Sequence, residues 1–190
     1  DPINRASLSL AKAIQKSSQV AIAKVALDLE EQAVFDVLAR AGIGDFVSSG
    51  LPGEAMGRLN NSQLRYPVVR ATLAYGYGLS VTPLQLTRAY LTLASGGKRM
   101  PLSILKQDRR IETEQVFDPE HVSDVLAMME LVTSQAGTAS QAAVPGYRVA
   151  GKTGTARLVG KQGYDDEMGD PGMQGMEPLE DRKSHIRGLQ

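Results

Sequence analysis

One stretch near the C-terminal end of the chain, Val149 to Ala156, places the strongest constraint on the fold. An apolar run leads into it, and its two glycines stand where no side chain would block an approaching ligand. Extended backbone can pair with a peptide lying alongside it, and Thr153 and Thr155 would share one face because strand side chains alternate. The stretch therefore predicts a strand edge that offers the cation of Lys152 and hydroxyl groups to an anion. The simpler interpretation, for a Lys-Thr-Gly tripeptide alone, is a glycine-rich turn with a solvated lysine.

Composition narrows the classes of protein and of site. With 190 residues the chain is long enough for one domain, and its 21 basic and 21 acidic residues cancel, which gives no reason to expect nucleic acid or an anionic membrane as the main partner. Cysteine is absent and there are only two histidines, which excludes a thiolate zinc site, a cysteine nucleophile and a multi-histidine metal cage. We expect no metal and no cofactor. The chain starts with Asp-Pro, like an excised piece, so an export signal or membrane anchor would lie outside it.

Helical spacing of apolar residues runs from Ser7 to Leu29 and from Glu30 to Ala41. Ser17-Ser18-Gln19 interrupts the first run, and its short hydroxyl side chains predict a helix end followed by a capped restart. Gly42 ends the second run in the usual C-terminal way. Further along, the pattern predicts a long surface excursion (Gly44 to Pro67), a helix capped by Thr82 and starting at Pro83, a strand (Pro101 to Lys106), a polar connection (Asp108 to Gln115), a helix (Pro119 to Val132), and loop or tail from Gly160 to Gln190.

Three separated signals coincide in this order: Ser17-Ser18-Gln19, the run YGYGLSVTPLQL from Tyr75 to Leu86, and Lys152-Thr153-Gly154-Thr155. Each is weak alone, but their order and spacing together resemble the transpeptidase domain of class B penicillin-binding proteins of the cell-division type. The resemblance extends from about Leu8 to Tyr164.

The resemblance implies an α/β fold, more closely α+β, with an antiparallel sheet backed by helices. This is the transpeptidase fold related to that of the serine β-lactamases, and it would be incomplete in this chain. We expect residues 1–164 to form a partial transpeptidase domain, with a helical part at 8–93 and a strand and helix part at 101–158, and residues 165–190 to form a polar tail.

By the same resemblance, Ser17 corresponds to the serine of the family's Ser-x-Asn triplet, a proton relay near the nucleophile and the leaving amine. Lys152 corresponds to the cation that lowers the local proton affinity and holds the serine network. A serine hydroxyl beside a lysine suits acyl transfer, because a neutral hydroxyl becomes a nucleophile only beside a base. The negative charge of the tetrahedral intermediate also needs fixed hydrogen-bond donors.

Substrate-binding roles follow from the resemblance as well. Thr153 and Gly154 would belong to the strand edge, and the hydroxyl of Thr155 would meet the carboxylate of a substrate or drug. Gln19 stands where the family usually has Asn, whose side chain holds the substrate's amide. The extra methylene of Gln19 is a departure that affects substrate positioning.

The family's nucleophile is a serine followed three residues later by a lysine, on a helix well before the triplet. Two strings fit that pattern, Ser9-Leu10-Ala11-Lys12 and Ser103-Ile104-Leu105-Lys106. Ser9 lies too close to Ser17 along one helical stretch for both to converge on a substrate. Ser103 falls in a predicted strand, where a residue and its third neighbour point to opposite faces. We therefore expect the nucleophile to lie outside this chain and the chain alone to be inactive.

The implied function is part of a peptidoglycan D,D-transpeptidase of septal wall synthesis. Such an enzyme attacks the D-Ala-D-Ala bond of a stem peptide through a serine acyl-enzyme and is acylated by β-lactams. The implied location is the periplasmic face of the bacterial inner membrane, with divisome membrane proteins as partners. A companion chain carrying the rest of the domain would cover apolar helices and an exposed sheet edge.

Two alternatives stay open at this point. A noncatalytic module of the same fold could bind peptidoglycan or divisome proteins, and Gln19 favours it. A serine β-lactamase is disfavoured by the lack of a deacylating glutamate in a defined loop, although Glu54 stands in the glycine-rich excursion.

Overall fold

The computed structural model describes residues 7–108 and 111–154, together with the backbone of 159–160 and 163–164. The contacts between residues divide the chain into two units, Asp1–Lys152 and Thr153–Gln190. The helices of the first unit are α1 (Leu10–Gln15), α2 (Gln19–Asp28), α3 (Ala33–Arg40), α4 (Pro67–Ala74), α5 (Pro83–Ala94) and α6 (Pro119–Thr133), with a 3₁₀ turn at Ser140–Ala142. Among the described residues no helix is long and apolar enough to cross a membrane.

A small antiparallel sheet accompanies the helices. Strand β1 (Lys98–Arg99) pairs with β2 (Glu114–Gln115), so that Lys98 lies opposite Gln115 and Arg99 opposite Glu114. Strand β1 packs against α5, which gives the helix-rich α/β arrangement that the sequence predicts.

The apolar core lies between helices that are distant in sequence. Helix α1 packs on α6, α2 packs on α4, and α5 contacts α6. The packing of α1 on α6 matters most for the site, because it brings the first helix of the described chain next to its last α-helix. The buried apolar residues are Ala13, Ala26, Ile43, Val47, Leu64, Leu73, Val122, Met129 and Val132.

The helix boundaries follow the predicted local chemistry. The Thr82 hydroxyl accepts a hydrogen bond from the Gln85 amide, and the Gln85 side chain accepts one from the Thr82 amide, which is a complete capping box. Asp118 caps α6 in front of Pro119. These predicted starts at Pro83 and Pro119 are confirmed.

The excursion from Gly44 to Pro67 is anchored more firmly than its composition predicts. Gln85 is fully buried, and its Nε2 donates to the carbonyl oxygens of Asp45 at 2.8 Å and Met56 at 2.7 Å. Because one buried amide satisfies backbone groups on both sides of the loop, the loop is fixed to the start of α5. Val47 and Leu64 add buried apolar contacts.

The predicted strand from Pro101 to Lys106 is wrong. The Ser103 hydroxyl donates to the carbonyl of Leu105 at 2.9 Å and accepts from its amide at 3.1 Å, so the backbone closes into a local turn. The strand that pairs with β1 is instead β2, which lies within the stretch predicted to be a polar connection.

The second unit contains a short hairpin. Strand β3 (Val159–Gly160) pairs with β4 (Gly163–Tyr164) in antiparallel register, with Val159 opposite Tyr164. The sequence predicts loop or tail from Gly160 onward, and the structure has the strand β4 in that stretch instead. Its ladder consists of backbone hydrogen bonds, which apolar alternation does not report. The predicted tail at 165–190 lies outside the described residues.

Candidate active site

The junction between α1 and α2 has the hydrogen bonds of a Schellman helix end. The Ser17 amide donates to the carbonyl of Ile14 at 3.1 Å, and the Ser18 amide donates to the carbonyl of Ala13 at 2.9 Å. This motif needs a left-handed residue after the helix, and Ser17 has a φ of 54°. An L-residue with a side chain adopts that conformation at a cost in free energy, so the junction holds a strained serine.

The two serines of the junction have different tasks. Ser18 is 3% exposed, and its Oγ caps α2 by accepting from the Ala21 amide. Ser17 is half-buried, and its Oγ accepts a hydrogen bond from Lys152 Nζ at 2.6 Å. The sequence left open which serine would cap the restarting helix, and the structure assigns that task to Ser18.

The backbone that carries Lys152 is not a strand in the structure, contrary to the sequence prediction. The Thr133 hydroxyl donates to the carbonyl of Val149 at 2.7 Å, and the Gly151 amide donates to the carbonyl of Met129 at 3.3 Å. Both partners belong to the last turns of α6. The segment is therefore held by a helix end, through bonds that a ladder would otherwise use.

Lys152 and Ser17 lie on the same side of the first unit and in direct contact, 135 residues apart in sequence. Burial lowers the pKa of Lys152 from its ordinary value, although the residue as a whole stays exposed. Water around the ammonium group is partly replaced by protein atoms, which disfavours the charged form. The pair can therefore orient a hydroxyl and pass a proton through it more readily than a fully solvated lysine could.

The predicted substrate-binding residues are placed less completely. Gln19 is the first residue of α2 and its side chain is exposed. Thr153 is half-buried and Gly154 exposed, and both belong to the second unit. Thr155 lies outside the described residues. Their assignment to substrate stays a prediction.

The two Ser-x-x-Lys strings have local structural tasks. Ser9 is the N-cap of α1, and its Oγ accepts from the Lys12 amide at 3.3 Å. The hydroxyl of Ser103 binds Leu105 as described above, so it too is engaged with nearby backbone. Ser9 and Ser17 are on opposite ends of a six-residue helix, which differs from the single continuing helix that the sequence predicts.

Glu54 holds its own loop. Its carboxylate accepts from the Ser49 hydroxyl at 2.8 Å and from the Ser48 and Ser49 amides at 2.7 and 3.2 Å. The hydrogen bond from the Ser49 side chain, with the two amides, lowers the pKa of Glu54. This is the setting of an ionised structural carboxylate, whereas a general base for deacylation needs a raised pKa.

Sequence reasoning missed a buried polar residue beside the pair. Gln15 is 6% exposed, and its Nε2 donates to Leu131 O at 3.2 Å and to Ser134 Oγ at 3.1 Å on the C-terminal end of α6. Next to it, Lys16 Nζ donates to Ala136 O at 2.6 Å. The signal in the sequence was a polar pair, Gln15-Lys16, directly before the Ser17 junction.

Comparison with known proteins identifies the family. The model of the penicillin binding protein transpeptidase domain matches residues 2–183. The peptidoglycan D,D-transpeptidase FtsI of Escherichia coli K12 is 43% identical over 163 residues, which cover 86% of this chain and 28% of that protein. The peptidoglycan D,D-transpeptidase FtsI of Buchnera aphidicola subsp. Schizaphis graminum is 40% identical over 157 residues, which cover 83% of this chain and 28% of that protein.

A solved structure agrees with the fold. The apo transpeptidase domain of penicillin-binding protein 3 from Burkholderia pseudomallei is 39% identical, with a TM-score of 0.77, over 83% of this chain and 48% of that chain. The present chain thus spans under a third of these curated relatives and about half of that solved domain. The chain belongs to the penicillin-binding protein transpeptidase domain family.

Proposed function

We propose that this chain is part of a peptidoglycan D,D-transpeptidase that cross-links stem peptides during septal wall synthesis. The observation that carries the proposal is the 2.6 Å contact between Lys152 Nζ and Ser17 Oγ. In a chain of this family, the motif resemblance assigns the proton relay to Ser17 and assigns to Lys152 the cation that holds the serine network. Relatives that are 40 to 43% identical are named for this activity.

The proposed reaction begins on a serine supplied by polypeptide outside this chain. Its Oγ attacks the carbonyl carbon of the penultimate D-Ala, the bond to the terminal D-Ala breaks, and an ester forms. The proton that leaves the attacking serine hydroxyl reaches the departing amine through Ser17, while Lys152 stabilises the negative charge that develops on the relaying hydroxyl. An amine of a neighbouring stem peptide then attacks the ester carbonyl, the bond to the serine oxygen breaks, and the proton lost by that amine returns to the serine hydroxyl.

The substrate would lie along the segment after Lys152. Under this proposal Thr153 and Gly154 present backbone to the stem peptide, and Thr155 donates its hydroxyl to the terminal carboxylate. Gln19 takes the place of the family's Asn and reaches the substrate amide from one methylene further away. β-Lactams would bind along the same segment after Lys152 and acylate the same external serine.

Location and partners belong to the proposal as well. The protein would act at the periplasmic face of the inner membrane, held by a segment outside this chain, together with divisome membrane proteins. An apolar groove of about 820 Å³ between α5 and α6 supports a companion polypeptide that completes the domain. Leu86 and Tyr90 line it and remain 47% and 39% exposed, which is costly for an unaccompanied fold.

The proposal is tested in the longer protein that contains this chain. Labelling with fluorescent penicillin, followed over time, should slow by about a hundredfold or more in Ser17→Ala and in Lys152→Met, because each removes a proton-transfer or electrostatic contribution. Ser123→Ala, an exposed serine on α6, is the matched control and should label at the parent rate. Parent-rate labelling in both site variants would overturn the assignment.

The isolated 190-residue chain provides a second test. Because Ser9 caps α1 and Ser103 closes a turn, we expect no covalent penicillin adduct on this chain. A stable adduct on Ser9, located by peptide mass spectrometry, would place the nucleophile within the chain and contradict the proposed division of the domain.

The noncatalytic alternative depends on Gln19. If the longer protein binds stem peptide but neither labels with penicillin nor cross-links, and Gln19→Asn restores labelling, the alternative is correct. Labelling of the unaltered protein excludes it.

A further inference from the structure

The last turns of α6 contact both halves of the Ser17 and Lys152 pair. Carbonyl groups at the C-terminal end of a helix have no partner within the helix and must be satisfied from elsewhere. At this end of α6, Leu131 O accepts from Gln15 in addition to the amide and hydroxyl of Ser134, and Met129 O, one turn earlier, accepts from Gly151. One helix end therefore binds the segment before Ser17 and the segment before Lys152.

On the serine side, the amide of Gln15 is fully engaged. Nε2 donates to Leu131 O and Ser134 Oγ, while Oε1 accepts from Lys12 Nζ at 2.7 Å. A buried amide is costly unless it is bonded in this way, so the arrangement specifies one seating of the α1 end on α6. Gln15 is two residues before Ser17, so a change in its seating moves the left-handed turn directly.

On the lysine side, the corresponding group is the hydroxyl of Thr133. It lies 2.7 Å from Val149 O and 3.0 Å from Glu130 O, so its single hydrogen has the shorter contact with Val149. Thr133 is 8% exposed. Val149 lies three residues before Lys152, and with the Gly151 amide it fixes the direction in which the lysine leaves α6.

We propose that Gln15 and Thr133 are positioning residues that set the distance between Ser17 and Lys152 by seating both segments on the C-terminal end of α6. Their effect on catalysis rests on the proposed function, but their effect on the geometry does not.

The test follows Lys152 by NMR in the longer protein that contains this chain, carrying ¹³C-labelled lysine, with Lys152→Met used to assign the signal. Gln15→Met keeps the length of the side chain and removes its donors, and Thr133→Val keeps the shape and removes the hydroxyl. Each variant should shift the Lys152 signal and move its titration midpoint up, toward that of an ordinary lysine, because loosening either segment readmits water.

Two matched controls separate positioning from a general loss of stability. Gln115 Nε2 also donates to two carbonyls, Gly96 O at 2.8 Å and Phe117 O at 2.6 Å, and Thr87 Oγ1 donates to Pro83 O at 2.8 Å. Gln115→Met and Thr87→Val should leave the Lys152 signal and midpoint where they are.

Unchanged Lys152 signals and midpoints in both folded site variants would overturn the inference. If Gln15→Met does not fold, Lys16→Met, which removes the contact with Ala136 O, takes its place on the serine side. Because no acyl transfer is measured, failure here leaves the proposed function standing. Slow penicillin labelling in the longer protein bears on that function alone.

Discussion

Four helices of the first unit end with the same pair of hydrogen bonds, but one of the four has a different residue type in the left-handed position after the helix. Helices α3, α4 and α5 place glycine in the left-handed position, while α1 places a serine there. The positions and φ angles are Gly42 at 88°, Gly76 at 97°, Gly96 at 66° and Ser17 at 54°. The backbone therefore closes each helix in the same way, and the serine adds a side chain that contacts Lys152.

The difference shows where the chain accepts strain. Glycine enters the left-handed region without a steric penalty, whereas serine pays about 1 kcal/mol there. At Ser17 that conformation places the hydroxyl within 2.6 Å of Lys152 Nζ, a contact that glycine cannot make. Ser48, another left-handed non-glycine residue among those described, has its amide bound by Glu54 at 2.7 Å, so its strain has a local compensation too.

The largest effect is expected at Gly42. A Cβ there would meet the guanidinium of Arg88, whose Nη2 donates to Gly42 O at 2.6 Å. Gly42→Ala should therefore add overpacking to the left-handed penalty and lower the free energy of unfolding by about 3 kcal/mol. Urea denaturation measures it, and a loss no larger than that of Gly76→Ala would contradict the role given to Arg88.

Gly76→Ala isolates the conformational cost. A Cβ at Gly76 has no heavy atom within 4 Å, so only its φ of 97° is unfavourable. We expect a loss of about 1 kcal/mol in the free energy of unfolding, by the same denaturation experiment. A neutral result would mean that left-handed ends in this chain tolerate side chains, and Ser17 would no longer be strained.

Ser17→Gly reverses the comparison. Removing the strain should raise the free energy of unfolding by up to about 1 kcal/mol, offset in part by the lost contact with Lys152 and the freer unfolded chain. Thermal unfolding measures the gain, and Ser17→Ala, which keeps the strain and loses the hydroxyl, is the matched control. If Ser17→Gly proves less stable than Ser17→Ala, the serine is not under strain.

The smallest effect is a pH dependence. Burial lowers the pKa of Lys152 in the folded chain, so the unfolded chain binds more protons between that lowered pKa and the ordinary lysine value. Below this alkaline window, Lys152 is charged in both states and the folded chain bears the full cost of burying the charge. The free energy of unfolding should therefore rise with pH through the window, as that cost disappears. Lys152→Met should remove that part of the slope, and an unchanged slope would show that burial does not perturb Lys152.

Much of the helical framework could be predicted because its signals are local. The cap at Thr82, the stop at Gly42 and the break at Ser17-Ser18-Gln19 each depend on residues within one or two turns. The motif comparison also selected Ser17 and Lys152, which the structure brings together. Local chemistry thus predicts the junction, and a long-range motif predicts the two residues that meet there.

The remainder depends on partners that are remote in sequence. Gln15 binds Leu131 and Ser134, 116 and 119 residues away. The polar pair Gln15-Lys16 marks the position in the sequence, but it does not indicate which residues Gln15 binds. The strand predicted at Lys152 failed for a related reason, since Thr133 and Met129 take up the backbone bonds of Val149 and Gly151. Short apolar stretches take the structure that their partners impose.

A crystal structure of the longer protein that contains this chain would decide whether the left-handed serine at the α1 end lies in contact with Lys152. We expect a positive φ at Ser17 and a distance of about 2.6 Å between Lys152 Nζ and Ser17 Oγ. A Lys152 side chain that points away from the α1 to α2 junction, too far from Ser17 for even one bridging water, would contradict this.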